Sequence, residues 1–471
     1  MRICFVLPHC RERPTELQYI YLGIAYLGSS LVSNGHTVRV IDSRIDQLPL
    51  NQILGKITSF RPKIVGFSSS TCYLPSNLGL LKEIKKNFPD MITVLGGSHV
   101  SALPKETLQM NPCIDIGVIG EGEQTFPELV DTIEKGKSLY NVKGIIFRKS
   151  NQLVLTKKRD NIENLDALPM PARDLFDTGK YNSIATLYKK KPMTSIMTSR
   201  GCPYNCRFCS RTISGTRFRA RSVKNVVDEI EILEKDRNRY KEIHIMDDNF
   251  SMDMLRSEKI FEEIYKRDIN MQFAFINGLR VDKVNKRLLS KIYKGGGYYI
   301  SFGVESLDQG VLSNARKNIN TKQISNAIKT ARDIGFYVNV FLMSGLPGST
   351  YLSDKRTVNM IAAMDPDEVT ISSITVLPGS MLYSELKKQA HEPVDWSTYR
   401  RDHLRWKQKD NLSDDFRRIN CLRRDLIRNL YLKPVYPFRM ICNHRSFGLR
   451  RMYNKSIDFL RLIKRDGSSI I

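Results

Sequence analysis

The chain has 471 residues, of which 41% are hydrophobic and 26% charged, and its formal net charge is +25. This length allows two or three domains with their own cores, and the composition is ordinary for a soluble globular protein. Nine scattered cysteines argue against a disulfide framework and favour a reducing cytosol, so we expect a cytoplasmic protein. The first residues lack a signal-peptide pattern, and the longest apolar-leaning segment, residues 19–32, is too short to cross a bilayer.

Residues 1–150 are predicted to form a doubly wound, Rossmann-like α/β domain. Apolar, β-prone runs alternate with helical stretches, and residues 21–34 repeat apolar side chains at helical spacing until Gly35. This alternation predicts a parallel sheet that binds its ligand beyond the carboxyl ends of the strands. The β-prone runs are residues 3–7, 37–41, 64–68, 92–95, 114–119 and 142–147.

The loops after three of these runs are small and polar. They contain Ser69, Gly96, Gly97, His99, Gly120 and Glu121. Small residues let a large, flat ligand approach the backbone closely, although glycines after strands also serve ordinary tight turns.

A polar, proline-containing segment, residues 151–191, is predicted to be an extended linker. Strands and helices then alternate again over residues 192–390. Six β/α units predict a partial (β/α)6 barrel of the TIM type, with functional groups at the C-terminal ends of its strands. The predicted strands are residues 193–198, 243–246, 271–276, 298–304, 337–343 and 368–375.

The stretch GCPYNCRFCS, residues 201–210, follows the first predicted barrel strand and spaces Cys202, Cys206 and Cys209 as C-x3-C-x2-C. Three thiolates on one loop can each hold one iron of a four-iron cube and leave the fourth iron open for a ligand. The alternatives are a structural zinc site, for which no fourth ligand lies nearby, and inert cysteines. A disulfide would leave one thiol over.

Polar residues also follow the predicted barrel strands. Asp247 and Asp248 close the second strand, Glu305 closes the fourth and Gly345 follows the fifth. For the two aspartates, a helix cap or a turn explains the position equally well. A carboxylate that ends an apolar strand is costly to bury unpaired, which favours a functional role for Glu305.

The cysteine loop, with Phe208 in an aromatic position, resembles the signature of the radical S-adenosylmethionine (SAM) enzymes. The GVES and GLPG segments resemble strands four and five of that family. The resemblance implies a [4Fe-4S] cluster whose open iron chelates SAM, with Ser301, Glu305 and Gly345 as SAM contacts, and we expect Asp247 to hydrogen-bond SAM. It further implies a one-electron donor such as flavodoxin or ferredoxin, and a 5′-deoxyadenosyl radical that abstracts hydrogen from the substrate.

The stretches LGIAYLGSSLVSNGHTVRVID, LGGSHVSALPKET and GVIGEGEQTFPEL resemble the cobalamin-binding domain of one radical SAM subgroup. The resemblance implies that the polar loops of the first domain enclose the corrin ring and its nucleotide tail. Because the sequence lacks a D-x-H-x-x-G motif, we expect no histidine ligand to cobalt from this domain, and His99 to contact a loop or the tail. A second cluster, as in methylthiotransferases, is disfavoured because the remaining cysteines of this domain share no local spacing: Cys4, Cys10, Cys72 and Cys113.

Residues 391–471 are predicted to form a basic, mainly helical extension. From Arg400 onward, 19 Lys or Arg stand against 7 Asp, a net charge of +12. Such a tail suits an anionic substrate, a membrane surface or nucleic acid, but a helical cap whose arginine stems cover apolar surface is favoured, and no nucleic acid is expected. Residues 426–438 resemble a C-terminal segment of cobalamin-binding radical SAM proteins, and we expect them to pack across the barrel mouth. In the barrel, Lys317 resembles a lysine common in this subgroup, but we expect it to be solvated at a helix end.

The sequence thus predicts a cobalamin-dependent radical SAM enzyme that methylates an unactivated carbon of a small-molecule metabolite. The alternatives are a radical SAM cyclase or rearrangement enzyme, such as a tetrapyrrole cyclase, and an RNA-modifying radical SAM protein.

Overall fold

The computed structural model describes residues 1–9, 19–150, 152–182, 187–236, 240–389, 412–444, 447–449 and 451–452. Two sheets organise this part of the chain: a seven-stranded sheet built from residues 2–155 and a six-stranded sheet built from residues 193–373. Cys10 and much of the basic extension lie outside the described residues.

The first sheet confirms the doubly wound architecture. Its strand order is β2-β1-β3-β4-β5-β6-β7, with parallel pairing from β2 through β5 and antiparallel pairing of β6 and β7 at one edge. The strands are β1 (Arg2–Leu7), β2 (Thr37–Asp42), β3 (Ile64–Ser68), β4 (Ile92–Gly96), β5 (Ile116–Val118), β6 (Ile145–Lys149) and β7 (Gln152–Leu155).

Seven helices cover the two faces of this sheet, and two separate apolar clusters form the cores of those faces. Helix α1 ends where Gly35 takes a φ of 80°. The helices are α1 (Leu22–Ser33), α2 (Ser43–Asp46), α3 (Leu50–Phe60), α4 (Leu74–Asn87), α5 (Ser98–Ala102), α6 (Pro104–Met110) and α7 (Gly122–Glu134).

The second sheet is the predicted open barrel. Its six strands are all parallel, in the order β15-β14-β13-β12-β11-β8. The strands are β8 (Met193–Ile196), β11 (Glu242–Ile245), β12 (Gln272–Leu279), β13 (Gly297–Glu305), β14 (Tyr337–Ser344) and β15 (Glu368–Ser373). Between β8 and β11, the short strands β9 (Ser199–Arg200) and β10 (Arg219–Ala220) pair antiparallel.

Helices pack on the outside of the barrel strands and bury an apolar cluster against them. Asn320 and Gln323 cap α12 reciprocally, and Gly335 ends it with a φ of 111°. The helices are α8 (Val223–Lys235), α9 (Met254–Lys266), α10 (Lys286–Lys294), α11 (Gln309–Asn314), α12 (Thr321–Ile334), α13 (Tyr351–Met364), α14 (Met381–Gln389) and α15 (Leu412–Leu426).

One part of the predicted linker is a strand. Residues 152–155 pair with β6 across a turn in which Ser150 takes a φ of 44°. In this strand Leu153 and Val154 are half-buried whereas Gln152 and Leu155 are exposed, and the first sheet continues beyond residue 150. The division of the chain at residues 150, 191 and 390 remains a prediction.

The expectation that residues 426–438 pack across the barrel mouth is wrong. The Tyr431 hydroxyl accepts a hydrogen bond from Val369 N at 3.0 Å, and the Tyr436 hydroxyl donates to Asp367 O at 2.9 Å. Both partners lie at the beginning of β15, which is the end opposite the mouth. None of the described helices combines the length and hydropathy that a membrane-spanning helix requires.

Candidate active site

The cysteine loop connects the two short strands β9 and β10. Its first residue, Gly201, has a φ of 82°, and a Cβ there would stand 2.2 Å from Arg217 O. Only glycine fits such a position without moving the backbone. The return arm of the loop therefore passes directly beside its beginning, and Cys202 N donates to Gly215 O at 3.4 Å.

Asp247, at the end of β11, anchors the chain that leads into this loop. Its carboxylate accepts from Thr198 N, Thr198 Oγ1 and Ser199 Oγ, each at 2.6 Å. Burial raises the pKa of Asp247, and these three donors oppose that rise. The neighbouring Asp248 accepts from Gly201 N at 2.8 Å. Asp248 thus binds the first backbone N–H of the cysteine loop, and Asp247 binds the two residues that lead into it. A contact of Asp247 with SAM remains a prediction.

The three loop thiols are partly buried and close enough to influence each other. Burial, with the neighbouring Cys206 and Cys202, raises the pKa of Cys209 to about 11. Iron binding would displace these protons, because thiolates are the ligands of such clusters. A single metal ion needs at least three ligand atoms close together. Among the described residues, the group of three His, Cys, Asp or Glu residues whose ligand atoms all lie within 4.8 Å of one another is His36, Asp131 and Glu134, and the loop cysteines do not form such a group.

The sulfurs of Cys202, Cys206 and Cys209 are therefore not gathered around a point that suits one ion. A single tetrahedral zinc, with Zn–S bonds of about 2.3 Å, would draw its sulfurs to within about 4 Å of one another. A four-iron cube is wider and binds each thiolate at a different iron. The donor set, three cysteine thiols on one loop, fits the cube.

Phe208 connects the cysteine loop to the end of β14. Its ring packs against Val311, Ala315 and Leu346, and the Lys317 ammonium lies 6.0 Å from the ring centroid. Lys317 is buried and donates to Glu305 Oε1 at 3.0 Å. The expectation that Lys317 is solvated is wrong, because the buried carboxylate that ends β13 needs a cation beside it.

The other two residues predicted to bind SAM lie at different depths of the barrel. Gly345 follows β14 at the mouth with a φ of 85°. Ser301 lies four residues before the end of β13, is fully buried and accepts a hydrogen bond from Asn339 Nδ2 at 3.3 Å. The structure thus brings Phe208, Glu305 and Gly345 to one end of the barrel and places Ser301 deeper inside.

The polar loops of the first sheet meet at its carboxyl edge, as predicted. Gly97 has a φ of 99°, and a Cβ there would stand 2.5 Å from Ser69 O. Ser69 N donates to Gly96 O at 2.9 Å, and His99 N donates to Ser69 O at 3.1 Å. The His99 side chain is fully buried, and its Nδ1 lies 3.1 Å from Thr71 Oγ1. Burial lowers the pKa of His99 to about 4.

Gly120 and Glu121, after β5, have different surroundings. A Cβ at Gly120 would meet no atom within 4 Å, so open space lies above this backbone, as a large ligand would require. Glu121, in contrast, is buried between Arg200 and Arg219 of the barrel. Its carboxylate is engaged by these cations, and a direct contact with cobalamin remains a prediction.

The cysteine loop touches both the first sheet and the turn after β15. Thr212 Oγ1 donates to Ser98 O at 3.3 Å, and Ser210 Oγ donates to Pro378 O at 2.7 Å. A Cβ at Gly379 would stand 2.2 Å from Thr212 Cγ2 and 3.4 Å from Ala102 Cβ. The residues predicted to hold the cluster and those predicted to hold cobalamin therefore lie on adjoining loops.

Sequence reasoning missed two charged residues that support these loops, Arg200 and Arg219, and it misjudged the surroundings of Lys317. Arg200 directly precedes the GC pair of the motif, which was a usable signal for a supporting role. Arg219 lies outside the motif, and only the pairing of β9 with β10 brings it beside Arg200.

Fold and site together define a class of protein: a two-sheet enzyme in which a Rossmann-like, ligand-binding sheet adjoins an open barrel with a three-cysteine loop. The B12 binding domain family matches residues 14–130, and the radical SAM superfamily matches residues 196–361.

Relatives along the whole chain agree with these matches. An uncharacterized methyltransferase of Pyrococcus horikoshii is 31% identical over 456 residues, covering 96% of this chain and 97% of the relative. An anaerobic magnesium-protoporphyrin IX monomethyl ester cyclase of Rubrivivax gelatinosus is 29% identical, covering 85% and 72%. The solved structure of the cobalamin-dependent SAM radical enzyme OxsB, with aqua-cobalamin and SAM bound, superposes with a TM-score of 0.71 at 16% identity, covering 100% and 80%. The chain belongs to the radical SAM enzymes that carry a B12-binding domain.

Proposed function

We propose that this radical SAM enzyme methylates an unactivated carbon of a small-molecule metabolite. The observation that carries the proposal is the junction of Thr212 with Ser98, which sets the cysteine loop against the edge of the B12-binding sheet. A methyl donor on that sheet and a radical source on that loop would then share one cavity. The methyltransferase name of the relative that matches 96% of the chain supports this reaction.

In this proposal Cys202, Cys206 and Cys209 each bind one iron of a [4Fe-4S] cluster. When bound, the cluster supplies the electron that cleaves SAM, and cobalamin supplies the methyl group that is transferred. The chain's own part is positional. Asp247 accepts three hydrogen bonds from Thr198 and Ser199, just before the cysteine loop, and Asp248 accepts one from the loop's first backbone N–H, at Gly201. Phe208 packs the loop against apolar residues beside the barrel mouth, which excludes water from that side.

The proposed SAM contacts are Glu305 and Gly345 at the barrel mouth, with Phe208 beside them. Glu305 would accept a hydrogen bond from the SAM amino group, and the half-buried backbone at Gly345 would pair with polar atoms of SAM. Ser301 and Asp247 are engaged with protein groups, so their roles would be to shape the site. The proposed cobalamin contacts are the loop residues Ser69, Gly96, Gly97 and Gly120. The buried His99 and Glu121 would hold these loops in place.

The proposed electron donor is flavodoxin or ferredoxin, and the proposed location is the cytoplasm. For the described part of the basic extension we propose a structural role. Arg418 is paired with the buried Asp354 of α13, and Arg451 with the buried Glu368 of β15. Arginines that neutralise barrel carboxylates are not available to a membrane surface or an anionic substrate.

A ring-forming reaction is the second candidate. It is favoured by the cyclase of Rubrivivax gelatinosus, which matches 85% of this chain. Both reactions use the same cofactors, and the mass of the product distinguishes them because methylation adds one methyl group whereas cyclisation adds none.

The test uses anaerobically reconstituted protein with methyl-labelled SAM, a chemical reductant, cobalamin and candidate substrates. We expect label in the product, and we expect Cys202→Ala, Cys206→Ala and Cys209→Ala to lose both iron and reductive SAM cleavage. Cys442→Ala, which replaces an exposed cysteine outside the loop, is the control and should keep both. Variants of the loop cysteines that still bind iron and cleave SAM would contradict the proposal, and unlabelled product of unchanged methyl count would favour the cyclase.

A further inference from the structure

One carboxylate of the first sheet holds both ends of the cysteine loop. Glu121 Oε1 accepts from Arg200 at 2.8 Å, and Glu121 Oε2 accepts from Arg219 at 2.8 Å. Arg200 ends β9 and Arg219 begins β10, and the two residues are direct partners in that hairpin. Residues 201–218, which include the three cysteines, form the connection between them. Glu121 therefore binds both strands, β9 and β10, from which the cysteine loop extends.

This cluster of charges is buried and balanced. The side chains of Arg219 and Glu121 are each 2% exposed, and Arg200 also donates to Glu123 at 2.7 Å. Two guanidinium groups thus face two carboxylates. Burial alone would raise the pKa of Glu121, but the hydrogen bonds and charges of Arg219 and Arg200 outweigh it, and the pKa is lowered. Removing one member would leave a buried charge without its partner, which is costly.

This buried group of charges adjoins one predicted cofactor loop on each side. Glu121 follows Gly120, above which the structure leaves open space, and Gly120 N donates to Ser101 Oγ of α5 at 3.0 Å. On the other side, Arg200 is followed by Gly201 and Cys202. A shift of either loop would have to break the same buried ion pairs.

We propose that Glu121 is a positioning residue that couples the cobalamin loop to the cluster loop, so that filling one site tightens the other. This inference rests on the proposed function. By linkage, the cluster must raise cobalamin affinity by the same factor by which cobalamin raises cluster affinity. Coupling energies of this kind typically correspond to a factor of about 5 to 150.

The experiment measures the dissociation constant of hydroxocobalamin for the full-length protein with and without its cluster. We expect binding at least about fivefold tighter in the cluster-loaded wild type, and a ratio near one in Glu121→Gln. Addition of hydroxocobalamin should also change the Mössbauer spectrum of the oxidised cluster, with no electron transfer, in the wild type and not in Glu121→Gln.

Two further variants keep the test decisive. Glu163→Gln removes an ion pair to the same loop, with Arg217 at 2.8 Å, but its partners are 58% and 75% exposed, so it should keep the wild-type ratio. The double variant Glu121→Gln/Arg219→Gln restores the charge balance, so it should fold where the single variant is unstable, and it should still lose the coupling.

The outcomes separate the two hypotheses. If the wild type binds both cofactors but its dissociation constant for hydroxocobalamin is the same with and without the cluster, the coupling is overturned and the proposed function is left intact. A double variant that keeps the wild-type ratio also overturns the coupling. A wild type that binds no cobalamin overturns the proposed function and this inference with it.

Discussion

Glu305 combines an unusual backbone with a buried charge. Its φ of 70° is a left-handed conformation that non-glycine residues rarely adopt, and strand β13 ends there. The Lys317 ammonium at 3.0 Å neutralises the carboxylate, and Arg280 donates to Lys317 O at 2.9 Å, which holds the lysine backbone in place. Such strained positions persist when their surroundings determine them, and they concentrate at functional sites.

We expect Lys317→Met to lower the free energy of unfolding by about 3 kcal/mol, because it leaves the Glu305 carboxylate buried without a counter-charge. Denaturant titration of the purified protein measures this change. Lys322→Met, at an exposed position of α12, is the matched control and should change stability by less than about 0.5 kcal/mol. Equal effects of the two substitutions would show that the buried pair contributes no more than an exposed lysine.

His99 gives the stability a predictable pH dependence. Its pKa is about 4 in the folded protein against 6.5 for the unperturbed group, so between these values the unfolded chain binds a proton that the folded chain does not. The contribution of His99 is fully present above pH 6.5 and is lost as the pH falls toward 4, by roughly 3 kcal/mol in total. We expect His99→Gln to flatten the loss of stability in this window, measured by denaturant titration at several pH values. A variant with the wild-type slope would contradict the buried, neutral state of His99.

At the scale of elements, the cysteine loop is a long hairpin connection whose shape is set at its base. The hairpin is only two residues long on each side, so it cannot hold 18 connecting residues by its own ladder. Three carboxylates provide the additional hydrogen bonds that hold the base of the loop. They belong to Asp247, Asp248 and Glu121, and each binds the chain within two residues of Gly201.

We expect Gly201→Ala to reduce iron and sulfide content after anaerobic reconstitution by at least about twofold. The added Cβ would stand 2.2 Å from Arg217 O at a φ of 82°, and backbone strain of this kind costs on the order of 1–3 kcal/mol. Gly55→Ala, on α3 where a Cβ meets nothing within 4 Å, is the control. It should keep the iron content and stabilise the protein by about 1 kcal/mol. Full iron content in Gly201→Ala would show that the loop can bind the cluster without the close approach of residue 201 to Arg217 O.

At the scale of the whole molecule, the chain returns to its first sheet after completing the barrel. Helix α14 follows β15, and its Tyr383 is 4% exposed within the apolar cluster that covers one face of the first sheet. The barrel is thereby attached to that sheet by apolar packing as well as by the buried charges around Glu121. An apolar contact of this kind resists salt, whereas exposed ion pairs are screened by it.

We expect Tyr383→Ala to lower the free energy of unfolding by about 3 kcal/mol, because it opens a cavity between α14 and the first sheet. Tyr265→Ala, which removes a side chain 68% exposed on α9, is the control and should have little effect. Denaturant titration followed by circular dichroism checks both. A Tyr383→Ala protein as stable as the control would show that α14 does not fasten the two sheets together.

Several elements were predictable because their causes are local. The alternation of apolar runs and helical stretches predicted both sheets, and capping residues such as Asn320 and Gln323 lie where α12 begins. The antiparallel direction of β6 and the existence of β7 were missed, because a short edge strand carries no periodic signal long enough to show its direction. The segment 426–438 was placed at the wrong end of the barrel, because a resemblance to a known C-terminal segment indicates that the segment packs on the barrel but not at which end.

The sequence by itself determined the cysteine loop, the order of strands and helices, and the loops that meet at the carboxyl edge of each sheet, because spacing, periodicity and parallel topology follow from neighbouring residues. Only the tertiary structure decided which buried charges face each other. Glu121 reaches Arg200 over 79 positions and Arg219 over 98, and Lys317 is drawn inward by Glu305. Burial makes an unpaired charge expensive, so such partners must meet in the folded chain, but nothing in the local sequence marks one carboxylate as the partner of a distant arginine.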